Sequence, residues 1–284
     1  MKKSTLFIAA LAFGVTTAFA QDLTSKKGEP ILPEAGDYAI GVDATPFLSY
    51  FGNMMNGTQN NSPFGWNYTN GGNMITGKMF ASETMAYRGM IRIGFGSNKV
   101  TNPVVDDAST STPVAMKDDE MKTSWNYIGL GGGMEWRRGK GRLQGYYGGM
   151  LMFSMSGGKD SYTYGNAFST SDPTPTTTDF VTMTSGPVGS RTLENKWGSQ
   201  MMFGLRGFVG AEFFVLPKIS VGGEFGWGLG FSKMGAGETT TETWNGTGTV
   251  QNTSDTGTSS SFGIDTDNNA FGLAPAAVLV HFHF

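Results

Sequence analysis

Residues 201–231 read MMFGLRGFVGAEFFVLPKISVGGEFGWGLGF. Met201, Phe203, Leu205, Val209, Ala211, Phe213 and Val215 share one parity, and Gly204, Arg206, Gly210 and Glu212 share the other. After the turn Leu216-Pro217-Lys218 the alternation resumes. Ile219, Val221, Phe225, Trp227, Leu229 and Phe231 oppose Ser220, Gly222, Glu224, Gly226, Gly228 and Gly230. A period of two is the signature of a strand, not of a helix. The stretch therefore predicts two long strands, about 198–214 and 218–232, joined by a tight turn.

The same pattern recurs outward from this hairpin. Tyr38, Ile40, Val42 and Leu48 oppose Asp37, Gly41, Asp43 and Ser49; Met85, Tyr87, Ile91, Ile93 and Phe95 oppose Arg88, Arg92 and Gly94. Leu143, Tyr147, Leu151, Phe153 and Met155 oppose Gln144, Gly148 and Ser154, and Val278, Val280, Phe282 and Phe284 oppose His281 and His283. One face is apolar and often aromatic; the other carries glycine, hydroxyls and charge. A soluble sandwich also alternates, with the apolar face as its core. Predicted strands of about 12–17 residues exceed the usual 5–6 of globular sheets and suit a tilted bilayer-spanning strand.

Composition excludes several classes. Of 284 residues 43 are glycine, without a three-residue period, so the chain is not collagen-like. There is no cysteine, hence no disulfide framework or thiol nucleophile. The only two histidines fall in the last four residues, which argues against a zinc enzyme, and a net charge of −3 gives no nucleic-acid footprint. Lys2 and Lys3, the apolar run from Leu6 to Val15 and Ala18-Phe19-Ala20 form a secretory pattern, so residues 1–20 are expected to be a signal peptide. A short periplasmic stub is expected over 21–35 and the folded domain over 36–284.

Counting back from Phe284 gives eight strands: about 37–50, 74–80, 84–96, 123–137, 142–156, 198–214, 218–232 and a last one ending at Phe284. Short turns, such as Arg138-Gly139-Lys140-Gly141, alternate with long polar tracts near 51–72, 97–122, 157–196 and 233–268. The fold class predicted is all-β, an eight-stranded antiparallel transmembrane up-and-down β-barrel with both ends on the short-turn side. In the second strand Trp66 and Tyr68 are out of step with Ile75 and Met79, which predicts a bulge near Gly71-Gly72 or a loop.

ITGKMF at 75–80, a four-residue turn and MAYRGMIRIGFGSNK at 85–99 resemble a hairpin of the eight-stranded outer-membrane barrels of Bacteroidota, relatives in architecture of OmpA- and OmpX-type barrels. VLVHFHF, ending in Phe284, resembles the signal read by the barrel assembly machinery. The resemblance implies a bacterial outer-membrane location. Outer-membrane lipid, lipopolysaccharide and the assembly machinery would then be partners, with a surface protein, phage or host ligand at the long tracts.

Eight strands enclose room for side chains or one small ligand. The inward charges predicted are Asp43, Lys78, Arg88, Arg92, Glu135, Arg206, Glu212 and Glu224, four of each sign. Asp43, Arg92, Arg206 and Glu224 should share one level, with Lys78, Arg88, Glu135 and Glu212 nearer the periplasmic rim. Buried charges persist when paired, so a salt-bridged plug is expected; a small, low-selectivity pore is the alternative. Tyr50, Trp136, Trp197, Phe282 and Phe284 are expected in the aromatic girdles, whereas Trp125 has inward parity. No catalytic residue, metal or cofactor is expected: both histidines lie at the periplasmic end, and Asp265-Thr-Asp267-Asn-Asn269 lacks the Gly and Glu that complete a calcium loop. A secreted β-sandwich adhesin and an acyl-chain enzyme are the remaining, more distant readings.

Overall fold

The computed structural model describes residues 24–25, 27–44, 75–139, 141–265 and 276–284. The expected signal peptide, Tyr50, the 51–72 tract, Gly71-Gly72 and Asp267–Asn269 lie outside the described residues. Within them the chain is all-β. The strands are β1 (Tyr38–Asp43), β2 (Ile75–Ser82), β3 (Met85–Val105), β4 (Met116–Arg138), β5 (Leu143–Thr163), β6 (Thr176–Asp179), β7 (Thr184–Pro187), β8 (Ser190–Lys196), β9 (Gln200–Leu216), β10 (Ile219–Met234), β11 (Glu238–Trp244), β12 (Thr249–Asp255), β13 (Ser259–Asp265) and β14 (Ala276–His283).

Eight of these strands form an antiparallel ring in the order β1-β2-β3-β4-β5-β9-β10-β14, and β14 pairs back onto β1. The closing seam is reinforced at its end, where Tyr38 N–H donates to Phe284 O and Phe284 N–H donates to Tyr38 O, both at 2.9 Å. The β2–β3 pairing carries an irregularity between Phe80 and Ser82. At the same end Gly36 N–H donates to Phe80 O at 2.8 Å, and the stub residue Ile31 is fully buried.

The alternation sorts side chains into two populations. One parity is buried and includes Lys78, Arg88, Glu135, Arg206, Glu212 and Glu224. The other is exposed and apolar: Phe95, Leu151 and Phe203 are 80%, 70% and 52% exposed. In a closed ring the buried parity must face inward. Between the charges the interior is filled by Met90, Tyr146, Met150, Met152 and Phe208, and near the short-turn end by Ala39, Phe80 and Ala86.

The tracts expected as loops are largely strand. β3, β4 and β5 run 21, 23 and 21 residues, so the 97–122 tract is mostly a continuation of the β3–β4 hairpin, with only 106–115 as its connection. The 157–196 tract holds the end of β5 with β6, β7 and β8, and the 233–268 tract holds β11, β12 and β13. Their few apolar residues are too little to fold them as independent domains, and they extend the ring strands instead. Threonine favours extended backbone, and a strand continuing an existing ladder needs no new nucleus. Hydroxyl pairs such as Thr240–Thr253 at 3.2 Å and Ser232–Ser261 at 2.7 Å follow that ladder. β5 leaves β9 at Ser156 and continues on β8 at Lys159; β10 likewise leaves β14 and continues on β13.

Above the ring these extensions pack around a small polar core. Asp119, fully buried, accepts from Gly165 N–H at 2.8 Å and Thr178 N–H at 2.7 Å. Asn166 donates to Val105 O at 2.7 Å and accepts from Asp107 N–H at 3.2 Å. The Arg191 guanidinium lies 4.5 Å from the Tyr164 ring and 4.7 Å from the Phe168 ring and pairs with Glu242 at 2.7 Å.

Candidate functional site

Strand alternation aims seven charged side chains and two histidines into the lower half of the ring. Glu224 on β10 pairs with Arg88 on β3 at 2.6 Å and with Arg206 on β9 at 2.7 Å. Arg88 also approaches Glu135 on β4 at 3.5 Å. Glu135 holds Lys78 of β2 at 3.1 Å and Arg137 at 3.0 Å. Glu212 on β9 holds Arg137 at 2.8 Å and Lys78 at 3.5 Å. No side chain in this network is more than 6% exposed.

Aromatic rings fill the gaps between the charges. The Arg88 guanidinium sits 4.2 Å from the Phe208 ring, Lys78 Nζ 4.9 Å from that of Tyr146 and Arg137 5.2 Å from that of Phe80. Such contacts suit weakly hydrated guanidinium groups better than water does in a dry interior. Two glycines make this packing fit. A Cβ on Gly148 would stand 2.6 Å from the Phe208 ring, and one on Gly226 would stand 2.7 Å from Arg206 Nε.

Six of the eight predicted inward charges thus meet in one network: Lys78, Arg88, Glu135, Arg206, Glu212 and Glu224. The two predicted levels are not separate, because Arg88 touches both Glu135 and Glu224. The Arg92 guanidinium lies 4.6 Å from the Tyr127 ring. The side chain of Asp43 lies outside the described residues.

Arg137 was missed. It shares the parity of Glu135 two residues earlier and falls at the last position of the predicted strand 123–137, and that parity is the signal that finds it. Its inclusion gives the buried network four cations, Lys78, Arg88, Arg137 and Arg206, against three carboxylates, Glu135, Glu212 and Glu224.

Glu212 also gathers the histidines. His281 Nδ1 is 3.3 Å from its Oε1 and His283 Nε2 is 3.4 Å away, while Ser220 donates a short hydrogen bond to it. Ser220 Oγ lies 2.9 Å from His283 Nε2. Serine, histidine and glutamate in contact suggest nucleophilic catalysis, but the geometry does not provide it. A catalytic carboxylate orients the histidine through Nδ1 while Nε2 faces the hydroxyl; here Glu212 sits on the hydroxyl and the same Nε2. His283 is further enclosed by Phe80 and Phe214, with ring centroids at 5.6 and 5.1 Å. Ser220 is fully buried, so no acyl group could reach it without the ring opening.

Of the expected girdle residues, Trp136, Trp197, Phe282 and Phe284 are 41%, 42%, 48% and 60% exposed. Trp136 stacks on Tyr147 and Phe284 on Tyr38, at centroid distances of 6.0 and 6.4 Å. Trp125 instead lies across the inward face of Gly94 and Gly96.

Compared with family models and with curated proteins, the chain matches none.

Proposed function

We propose that the eight-strand ring is a transmembrane β-barrel of a bacterial outer membrane, closed by its own ion pairs, with a structural and surface-contact role. The observation that carries this reading is the inversion of polarity: charges inside, large apolar side chains outside. On β3 the exposed apolar run extends from Tyr87 through Ile91 and Ile93 to Phe95, then gives way to Ser97 and Lys99. Met85–Phe95 is eleven residues, which at ~3.3 Å per residue and ~45° tilt reaches about 25 Å, the height of an outer-membrane apolar band. An exposed apolar surface encircling a ring has no stable place in water. It also opposes the soluble-sandwich reading, which needs that face inside.

The closed interior favours a structural role over conduction. Opposite walls are joined by buried ion pairs, and aromatic rings occupy the space between them. The folded tracts above the band form a polar platform suited to contact with a surface protein, phage or host ligand. The outward lipid partner is the membrane itself, and the C-terminal strand is suited to recognition by the barrel assembly machinery.

The test is refolding into phosphatidylcholine vesicles, scored by heat-shifted gel mobility, followed by conductance in a planar bilayer. A heat-shifted, electrically silent protein is the expected result. Reproducible conductance steps would replace the plug with a pore, and protein that stays in the soluble fraction would overturn the membrane reading.

A further inference from the structure

Five lysines stand outside the ring where the apolar band ends, each on a different strand. Lys99 on β3 follows Phe95, Lys159 on β5 follows Met155 and Lys233 on β10 follows Phe231; Lys122 on β4 and Lys196 on β8 stand at the same edge. Their parity is that of the apolar face. The register brings them together in pairs: Lys99 is directly opposite Lys122, and Lys159 is directly opposite Lys196. Like charges placed opposite one another weaken a sheet, so these two pairs are a cost that the fold alone does not explain.

Internal compensation is incomplete. Lys99 pairs with Glu120; Lys159 and Lys196 share Glu194 at 2.6 and 3.3 Å, and Lys196 also reaches Glu238 at 3.0 Å. Lys122 and Lys233 have no ion-pair partner among the described residues. The three glutamates leave the collar with two cations in excess.

One part of the collar is hollow. A cavity of about 410 Å³ opens where β5 passes from β9 to β8, lined by Lys159, Lys196, Ser156, Ser199, Trp197 and Met155. The Trp197 indole N–H donates to Asp160 at 3.0 Å, which fixes the ring beside the lysines. Two ammonium groups beside Trp197 and Met155 match an anionic phosphate with an acyl chain next to it. Lysine stems lie along apolar surface while their heads reach the interface.

We propose that this collar binds the phosphate groups of anionic lipid headgroups in the leaflet on the long-tract side, with the Lys159–Lys196 cavity as its main seat. The proposal rests on the membrane reading above. Juxtamembrane lysines each add to anionic-lipid affinity, by roughly fivefold per residue.

The experiment reconstitutes the full chain in phosphatidylcholine vesicles with and without phosphatidylglycerol. Lipids retained after gentle detergent extraction are then quantified by mass spectrometry. The intact protein should retain phosphatidylglycerol in preference, and Lys159→Gln/Lys196→Gln should lose most of that preference. Lys122→Gln/Lys233→Gln, which breaks no internal ion pair, should weaken it as well and serves if the first variant misfolds. Lys27→Gln/Lys117→Gln, away from the collar, should leave it unchanged. Equal retention of both lipids by the inserted protein would overturn the proposal while leaving the membrane reading intact. Displacement of the lipid by inorganic phosphate alone would assign the site to a free anion and overturn it too. Failure to insert into phosphatidylcholine would remove the membrane reading, and the proposal with it.

Discussion

Arg88 and Glu224 meet across the full width of the ring. Their strands, β3 and β10, are four places apart whichever way the ring is followed, yet Arg88 Nη1 and Glu224 Oε2 are 2.6 Å apart. Lys78 on β2 and Glu212 on β9 stand in the same relation, at 3.5 Å. Two long side chains from opposite walls can touch only where the enclosed space is no wider than their combined reach. Eight strands meet that condition, and the contacts tie opposite walls together.

Removal of the shared carboxylate should cost more than removal of one of its cations. Glu224→Gln leaves Arg88 and Arg206 facing each other without their common partner, and such a loss costs about 3–5 kcal/mol. Arg206→Ala leaves Glu224 still held by Arg88 and should cost less. Urea unfolding midpoints in detergent micelles give the order; a Glu224→Gln protein as stable as the parent would sink the brace.

Opening the interior requires loss of both cross-ring contacts. A protein carrying Arg88→Ala, Glu224→Ala, Lys78→Ala and Glu212→Ala should show conductance steps in a planar bilayer where the parent shows none. A folded quadruple variant that stays silent would mean that Tyr146, Phe208 and the methionines close the ring without help from the charges.

Glycine substitutions separate the inward face from the outward one. Gly226→Val drives a side chain into the Arg206 guanidinium, and overpacking of that kind costs about 1–3 kcal/mol. A Cβ on Gly89 would meet nothing within 4 Å, so Gly89→Ala should change the thermal midpoint little. The opposite order would exchange the two faces.

The polar platform should unfold without the ring. Asp119→Ala strips two buried N–H donors, those of Gly165 and Thr178, at about 1–3 kcal/mol each. Trypsin should then cut after Arg191 while heat-shifted mobility of the remainder persists. Loss of both together would make platform and ring one cooperative unit.

The short-turn rim carries a titrating strap. Asp37 sits 2.8 Å from Lys218 Nζ and accepts from Glu34 N–H at 3.0 Å. Burial pushes its carboxyl up, but the Lys218 hydrogen bond, the Glu34 N–H and the Lys218 charge outweigh this and hold it below its ordinary value of 3.8. A lowered folded value means that ionisation favours the folded state. The contribution is whole above the unfolded value and fades as pH falls through the folded one. Asp37→Asn should cost under about 1 kcal/mol at neutral pH, since the pair is partly exposed. The gap in urea midpoint between parent and variant should close on acidification; a gap independent of pH would refute the strap.

Much of the ring was legible because its signal is local. Arg206 and Glu212 are inward because they are even-numbered on a strand whose odd positions are Met201, Phe203 and Leu205. No tertiary information is needed to see that. Arg137 was passed over although the same rule covers it and it ends the predicted strand 123–137. Tyr146, Met150 and Phe208 were hidden for a different reason. An apolar side chain on the polar parity looks like noise until the cavity it fills is known.

Parity, strand number and the alternation of tight turns with long tracts follow from covalent geometry and residue chemistry, both contained in the chain. Partnership does not. That Arg88 finds Glu224, 136 residues away, depends on how the ring closes and on the stagger of its strands, which fix which inward residues share a height. The platform above the band depends equally on closure. Its threonine-rich segments have too little apolar surface to fold alone, and they pair because the ring has already set the strands from which they grow.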